Sequence, residues 1–258
     1  MSPAGDVRVE FEIDDAPSGL GWMPDGSMLI VAMTSRRVLK RSLGGKIGKI
    51  SVHADLGGIA AYHCNDMVVD STGRAYVGEF GFDLHKELAT RGYASVLADH
   101  ATAKLARISP EGVVDVAAED LHFPNGTVIT SDGKMLIVAE TLAAGLTAFD
   151  IGRDGTLSGR RVWASTTPRV PDGIALDSAA AIWIANPFAP ECARIAPGGA
   201  VIETVATSQN CYACMLGGDD GKTLFMMTAP TSFPEVAAAA PKGRIETATV
   251  EAAHAGLP

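Results

Sequence analysis

Two apolar runs separated by a polar or glycine turn recur five times along the chain, and each repeat reads as a β-hairpin. The repeats open at Ser18 (SGLGWMPDG), Asn65 (NDMVVDSTG), Asn125 (NGTVITSDG), Asp172 (DGIALDSAA) and Ala213 (ACMLGGDDG). After the turn they continue as SMLIVAM, RAYVGEF, KMLIVAE, AIWIANP and KTLFMMT. Eight residues beyond the opening residue stand Gly26, Gly73, Gly133 and Gly221, with Ala180 in that place in the fourth repeat. Hairpins recurring every 41 to 60 residues predict a β-propeller. Two further strand-like runs follow each of the first four hairpins, but only one, GRIETATVE, follows the fifth. Propeller blades have four strands, so the last blade lacks its outer one. The alternating run VRVEFEI near the N-terminus is placed to supply it and so remove an exposed edge. The expectation is a single all-β domain over residues 1–258, a five-bladed propeller closed by its N- and C-terminal strands. An incomplete or rearranged six-bladed ring is the alternative.

Composition narrows the function. With 28 Gly, 14 Pro and only 20% charged residues, the chain suits many short strands joined by tight turns. A net charge of −9 argues against nucleic acid or an anionic membrane as partner, leaving a small molecule. The first residues contain no apolar signal-like core and no run approaches a membrane span, so the cytoplasm is the default expectation. The four cysteines are too few for a disulfide framework. Cys211 and Cys214, three apart on a strand, are expected on opposite faces and read as core thiols. The string GGDDGKT at 217–223 lacks the first P-loop glycine and falls in a hairpin turn, which excludes a phosphate cradle. Residues 81–102 lengthen the second repeat and emerge on the face of the opening residues, either as a lid or as a surface loop with a short helix.

Radial blades bring their opening residues together on the axis. Asn65, Asn125 and Asp172, with neighbouring Asp66, form an oxygen-rich set suited to a hard cation. The bland readings are that Asn125-Gly126 and Asp172-Gly173 are turn dipeptides and that Asp66 caps a loop. Glu79 and Glu140 end the second strands of their hairpins and should lie near the same mouth, as extra ligands or as rim residues facing solvent.

The strings HCND, FPNGTVITSDGK, PDGIALD and the C-terminal GRIE resemble the inner-strand motifs of the gluconolactonase and senescence-marker-protein (regucalcin-like) family of propeller lactonases. The likeness runs from about Ser18 to Ile245. It implies a metal-dependent hydrolase that opens sugar-type lactones or related cyclic esters. Carried over by motif, Asn125 and Asp172 would bind a divalent metal, Ca²⁺ first, with Zn²⁺, Mn²⁺ or Mg²⁺ as alternatives. Asn65 would bind metal or substrate, Asp66 would help hold substrate and assist catalysis, and Asp172 would be the base. His63, before the N-D pair, and Ser18, at the head of the first repeat, fall on the substrate side. The family's E-G-P-x-W-type first blade, which supplies a glutamate ligand, is absent from this sequence, and Glu140 is the candidate to replace it. That gap motivates a second reading, a metal-free propeller serving as a binding module or as an enzyme of other chemistry.

Overall fold

The computed structural model describes residues 5–43 and 49–256 and contains five antiparallel sheets arranged as the blades of a propeller. Blade one runs β1 (Pro17–Trp22), β2 (Met28–Ala32), β3 (Arg37–Arg41) and β4 (Ile50–Asp55). Blade two holds β5 (Cys64–Val69), β6 (Ala75–Glu79), β7 (Ala103–Ile108) and β8 (Val114–Leu121), with helices α1 (Leu84–Arg91) and α2 (Tyr93–Ala98) inserted after β6. Blade three comprises β9 (Pro124–Ile129), β10 (Met135–Glu140), β11 (Gly145–Ile151) and β12 (Leu157–Ser165). Blade four comprises β13 (Ile174–Leu176), β14 (Ile182–Asn186), β15 (Glu191–Ile195) and β16 (Val201–Ala206). Blade five has three strands, β17 (Asn210–Gly217), β18 (Thr223–Ala229) and β19 (Arg244–Thr249), with the short helix α3 (Pro234–Ala239) between the last two.

The shared turn position has a backbone cause. Gly26, Gly73, Gly133 and Gly221 all take positive φ, and Ala180 takes it too, at 59°. All five hairpins therefore use one left-handed turn, and the fourth makes it without glycine at a cost of about 1 kcal/mol. An aspartate in each turn accepts backbone N–H groups, as Asp70 does from Thr72 and Arg74 and Asp177 from Ala179 and Ala181.

Alternate strand residues face the neighbouring blade on either side, and the core is built of layers between blades. Leu29 and Val31 meet Met67 and Val69 between blades one and two, and Val68 and Tyr76 meet Ile129 and Leu136 between two and three. Ile137 and Leu146 meet Ile174 and Ile182 between three and four, and Trp183 meets Cys214 and Leu224 between four and five. Among the described residues no such layer joins blade five to blade one. The expected pairing of VRVEFEI with the last blade does not form. Residues 5–13 hold no strand, and β19 is left at the edge of a three-stranded sheet. The alternation of that run lacks the buried face that sets a register: Val7 and Val9 are 78% and 69% exposed. Its Phe11 ring instead lies 5.5 Å from the Arg41 guanidinium of blade one.

All four cysteines are buried free thiols. A β-bulge between Cys211 and Ala213 turns Cys211 and Cys214 to the same side, where both pack with Cys192, so the expectation of opposite faces is corrected. Among the described residues no helix is long and apolar enough to cross a membrane.

Candidate active site in the propeller channel

Glycines set how closely the inner strands approach at the channel mouth. A Cβ on Gly126 would come within 2.4 Å of the Ile174 nitrogen, and one on Gly173 within 2.7 Å of the Ala213 Cα. The Asn-Gly and Asp-Gly pairs are thus not turns. They allow one blade's strand to hydrogen-bond the next, the Gly126 N–H donating to the Asp172 carbonyl (3.1 Å) and the Gly173 N–H to the Tyr212 carbonyl (3.0 Å). Asn65 makes the corresponding link with its side chain, whose Nδ2 donates to the Pro124 carbonyl at 3.1 Å. This belt holds Asn65, Asn125 and Asp172 together in the floor of one cavity of about 320 Å³.

The two acids at this level have unusual electrostatics, Asp172 within the cavity lining and Asp66 outside it. Burial is the main cause that raises Asp66 to about 6, and burial together with the Asp66 charge holds Asp172 well above the ordinary carboxylate range. A hydrogen bond with Asn125 opposes the rise in Asp172. Among the described residues neither acid has a basic partner within ion-pair distance. Asn125 Nδ2 also donates to Thr141 Oγ1 at 3.2 Å. Both carboxamides thus have their nitrogens held by protein, which leaves their oxygens to face a ligand.

The two glutamates fare differently from expectation. Glu140 is 2% exposed and accepts from the His122 N–H (2.7 Å) and the Thr147 hydroxyl, with Arg160 at 3.4 Å. Glu79 is 3% exposed and accepts four backbone N–H groups, from Ala61, Tyr62, Gly81 and Lys104. Neither lines the cavity, and neither faces solvent. Glu140 as a metal ligand is therefore corrected: its carboxylate points into blade three and braces the segment that leads into β9. His63 stacks on Tyr62 at 4.1 Å and lies 6.0 Å from Phe80, outside the cavity lining, and its pKa is lowered by burial. Ser18 also falls outside that lining, as does Ala213, because the bulge at Cys211 brings Asn210 and Tyr212 to the channel instead.

Residues 81–102 cover the mouth. Helix α1 starts at Asp83, whose side chain accepts the Lys86 N–H, and it supplies Leu84, His85 and Leu88 to the cavity roof. Rings tie this roof across the opening, Tyr93 to Phe188 of blade four (5.0 Å) and His85 to Phe233 of blade five (5.0 Å). Phe80, Val96, Phe123 and Leu142 form a small core beneath it. At the opposite mouth, residues 250–256 cross from blade five back to blade four, where the Ser178 N–H donates to the Ala253 carbonyl and the Ala255 N–H to that of Leu176.

Residues 1–230 match the profile of the SMP-30/Gluconolactonase/LRE-like region family. The chain belongs to this family. Among named relatives of this member, it is 25% identical to a regucalcin from Danio rerio over 170 residues, covering 64% of this chain and 54% of the relative. It is 26% identical to a pentonolactonase from Haloferax volcanii over 178 residues, covering 64% and 53%. The chain thus spans about half the length of the curated relatives it matches. In structure it is similar to a luciferin-regenerating enzyme (TM-score 0.75, 16% identity, 95% of this chain and 82% of that one). A calcium-binding regucalcin from Agrobacterium tumefaciens is equally similar (TM-score 0.75, 19% identity, 96% and 80%). At these identities the structural likeness speaks for the fold.

Proposed function

We propose that this protein hydrolyses lactones or related cyclic esters in the roofed channel. The observation that carries the reading is the convergence of Asn65, Asn125 and Asp172 on one cavity floor, beside Asp66, with both acids raised by burial and lacking a basic partner. Family membership and a relative named as a pentonolactonase support it. A raised carboxylate is a competent general base near neutral pH. Asp172, once ionised, would take a proton from water as that water attacks the ester carbonyl. The ring C–O bond then breaks, and the proton passes to the departing alkoxide to give a hydroxy acid. Asp66 and the Asn65 amide would orient the substrate.

A divalent cation fits this floor. The Asp172 carboxylate and the two carboxamide oxygens, with Asp66 next to the lining residue Asn65, make a hard, oxygen-only donor set, better matched to Ca²⁺ or Mg²⁺ than to Zn²⁺. When bound, such an ion would polarise the ester carbonyl and ease deprotonation of water. A second reading, hydrolysis or other chemistry without metal, is favoured by one observation: among the described residues no three His, Cys, Asp or Glu side chains converge on a metal position. A lactone panel followed by pH-stat, with chelator and then Ca²⁺, Mg²⁺, Mn²⁺ or Zn²⁺ restored, separates the two. The proposal expects turnover that the chelator removes and a cation restores. Turnover indifferent to chelator supports the metal-free reading, and inertness toward every lactone contradicts the lactonase assignment.

A further inference from the structure

The polar floor contrasts with the rest of the cavity, and that contrast bears on the substrate. The walls and roof are Phe80, Phe123, Leu142, Leu84, Leu88 and Phe188. The polar side chains among the lining residues are almost all engaged with one another or with the backbone. Thr141 Oγ1 donates to the Pro171 carbonyl and accepts from Asn125. Tyr212 is hydrogen-bonded with Asn210 and Ser232, and Thr231 Oγ1 accepts the Phe233 N–H. What remains open to a ligand is the oxygen cluster of the floor and, on the roof, the Tyr93 hydroxyl and His85 Nε2, the latter buried without a partner.

Resting on the lactone-opening reading, we propose that the substrate is a lactone whose body is apolar, with the size and flatness of a benzo-fused or alkyl-substituted ring, rather than a polyhydroxylated sugar lactone. The ester group would meet the floor, while the ring body would lie against the apolar wall that Phe80, Phe123 and the roof leucines form. A cavity of about 320 Å³ suits a small bicyclic molecule. Sugar hydroxyls carried against these walls would lose water and outnumber the few open partners on the roof, each one left unpaired weakening binding by about tenfold or more. An apolar ring gains from the same burial.

The test compares kcat/KM for dihydrocoumarin and D-glucono-1,5-lactone in the wild type and in Leu88→Gln. A preference of about tenfold or more for dihydrocoumarin is expected, and Leu88→Gln should lower the ratio by about tenfold, the scale of a single pocket contact. Equal or better turnover of the sugar lactone overturns the proposal. Calorimetric binding of the matching lactams, 3,4-dihydroquinolin-2-one and D-glucono-1,5-lactam, separates this inference from the lactonase reading. If neither lactone is turned over but the aryl lactam binds and Leu88→Gln weakens it, the lactonase reading fails and the apolar site stands. If the glucono-lactam alone binds, or neither does, the inference falls whatever the activity.

Discussion

Two pairs of acids at the same end of the propeller, Glu79 with Glu140 and Asp66 with Asp172, behave in opposite ways. Glu79 and Glu140 are saturated: one accepts four backbone N–H groups, the other a backbone N–H, a hydroxyl and an arginine. In both, the carboxylate holds the segment entering an inner strand, at Ala61 and Tyr62 before β5 and at His122 before β9. Glu246 does the same for blade five, accepting the Ser208 N–H and hydroxyl ahead of β17. These acids are a repeated device of the fold. Asp172 on the channel floor and Asp66, just outside the cavity lining, are instead left without a basic partner, burial raises both, and the Asp66 charge adds to the rise in Asp172. Folding gains nothing from that arrangement, which is why the proposed function rests on it.

The contrast can be broken most forcefully at Asp172. Asp172→Asn should lower kcat/KM by about 10²- to 10⁴-fold, the range for loss of a general base, while the melting temperature holds or rises because a disfavoured buried charge is removed. Next in size is the structural pair. Glu79→Ala or Glu140→Ala should destabilise the protein by about 2–4 kcal/mol in denaturant melts, since several buried donors lose their acceptor. Activity per folded molecule of Glu140→Ala should stay at the wild-type level. The third test is stability against pH in cation-free protein. Unfolded aspartates titrate near 4 and folded Asp66 near 6, so the folded state holds more protons between them and stability must fall as pH rises through that window. The fall from Asp66 alone is at most about 3 kcal/mol, and Asp66→Asn should flatten it. The smallest effect is that of added Ca²⁺, which should raise the melting temperature at pH 7 by the equivalent of about 2–3 kcal/mol at a hundredfold excess over Kd. It should act less at pH 5, where protons compete for the same carboxylates.

The same pairs show what residue order can and cannot carry. The five hairpins were legible because one turn geometry recurs, as Ala180 demonstrates by adopting the glycine conformation. Asn65, Asn125 and Asp172 were legible because their register in the repeat is their position on the axis. Glu79 and Glu140 misled because a strand's end gives proximity to the mouth but not the direction of a side chain. Asn210 and Tyr212 were missed because the β-bulge at Cys211 shifts the register by one residue, so counting back eight from Gly221 lands on Ala213. The paired cysteines carried a faint signal of that shift, since two core thiols three apart require a bulge to share a face. The roof was foreseen in place only, because contacts such as Tyr93 with Phe188 join parts of the chain that no local pattern connects. VRVEFEI shows the converse: alternation alone does not make a strand when the run buries no face, even though β19 offers an open edge.

The most direct measurement is the titration of the aspartate carboxyl carbons by ¹³C NMR, with Asp66 and Asp172 assigned through their Asn variants. In cation-free protein Asp66 should titrate near 6 and Asp172 well above the ordinary carboxylate range, and saturating Ca²⁺ should move both below that range. Two carboxyls titrating near 4 and indifferent to every divalent cation would contradict the account.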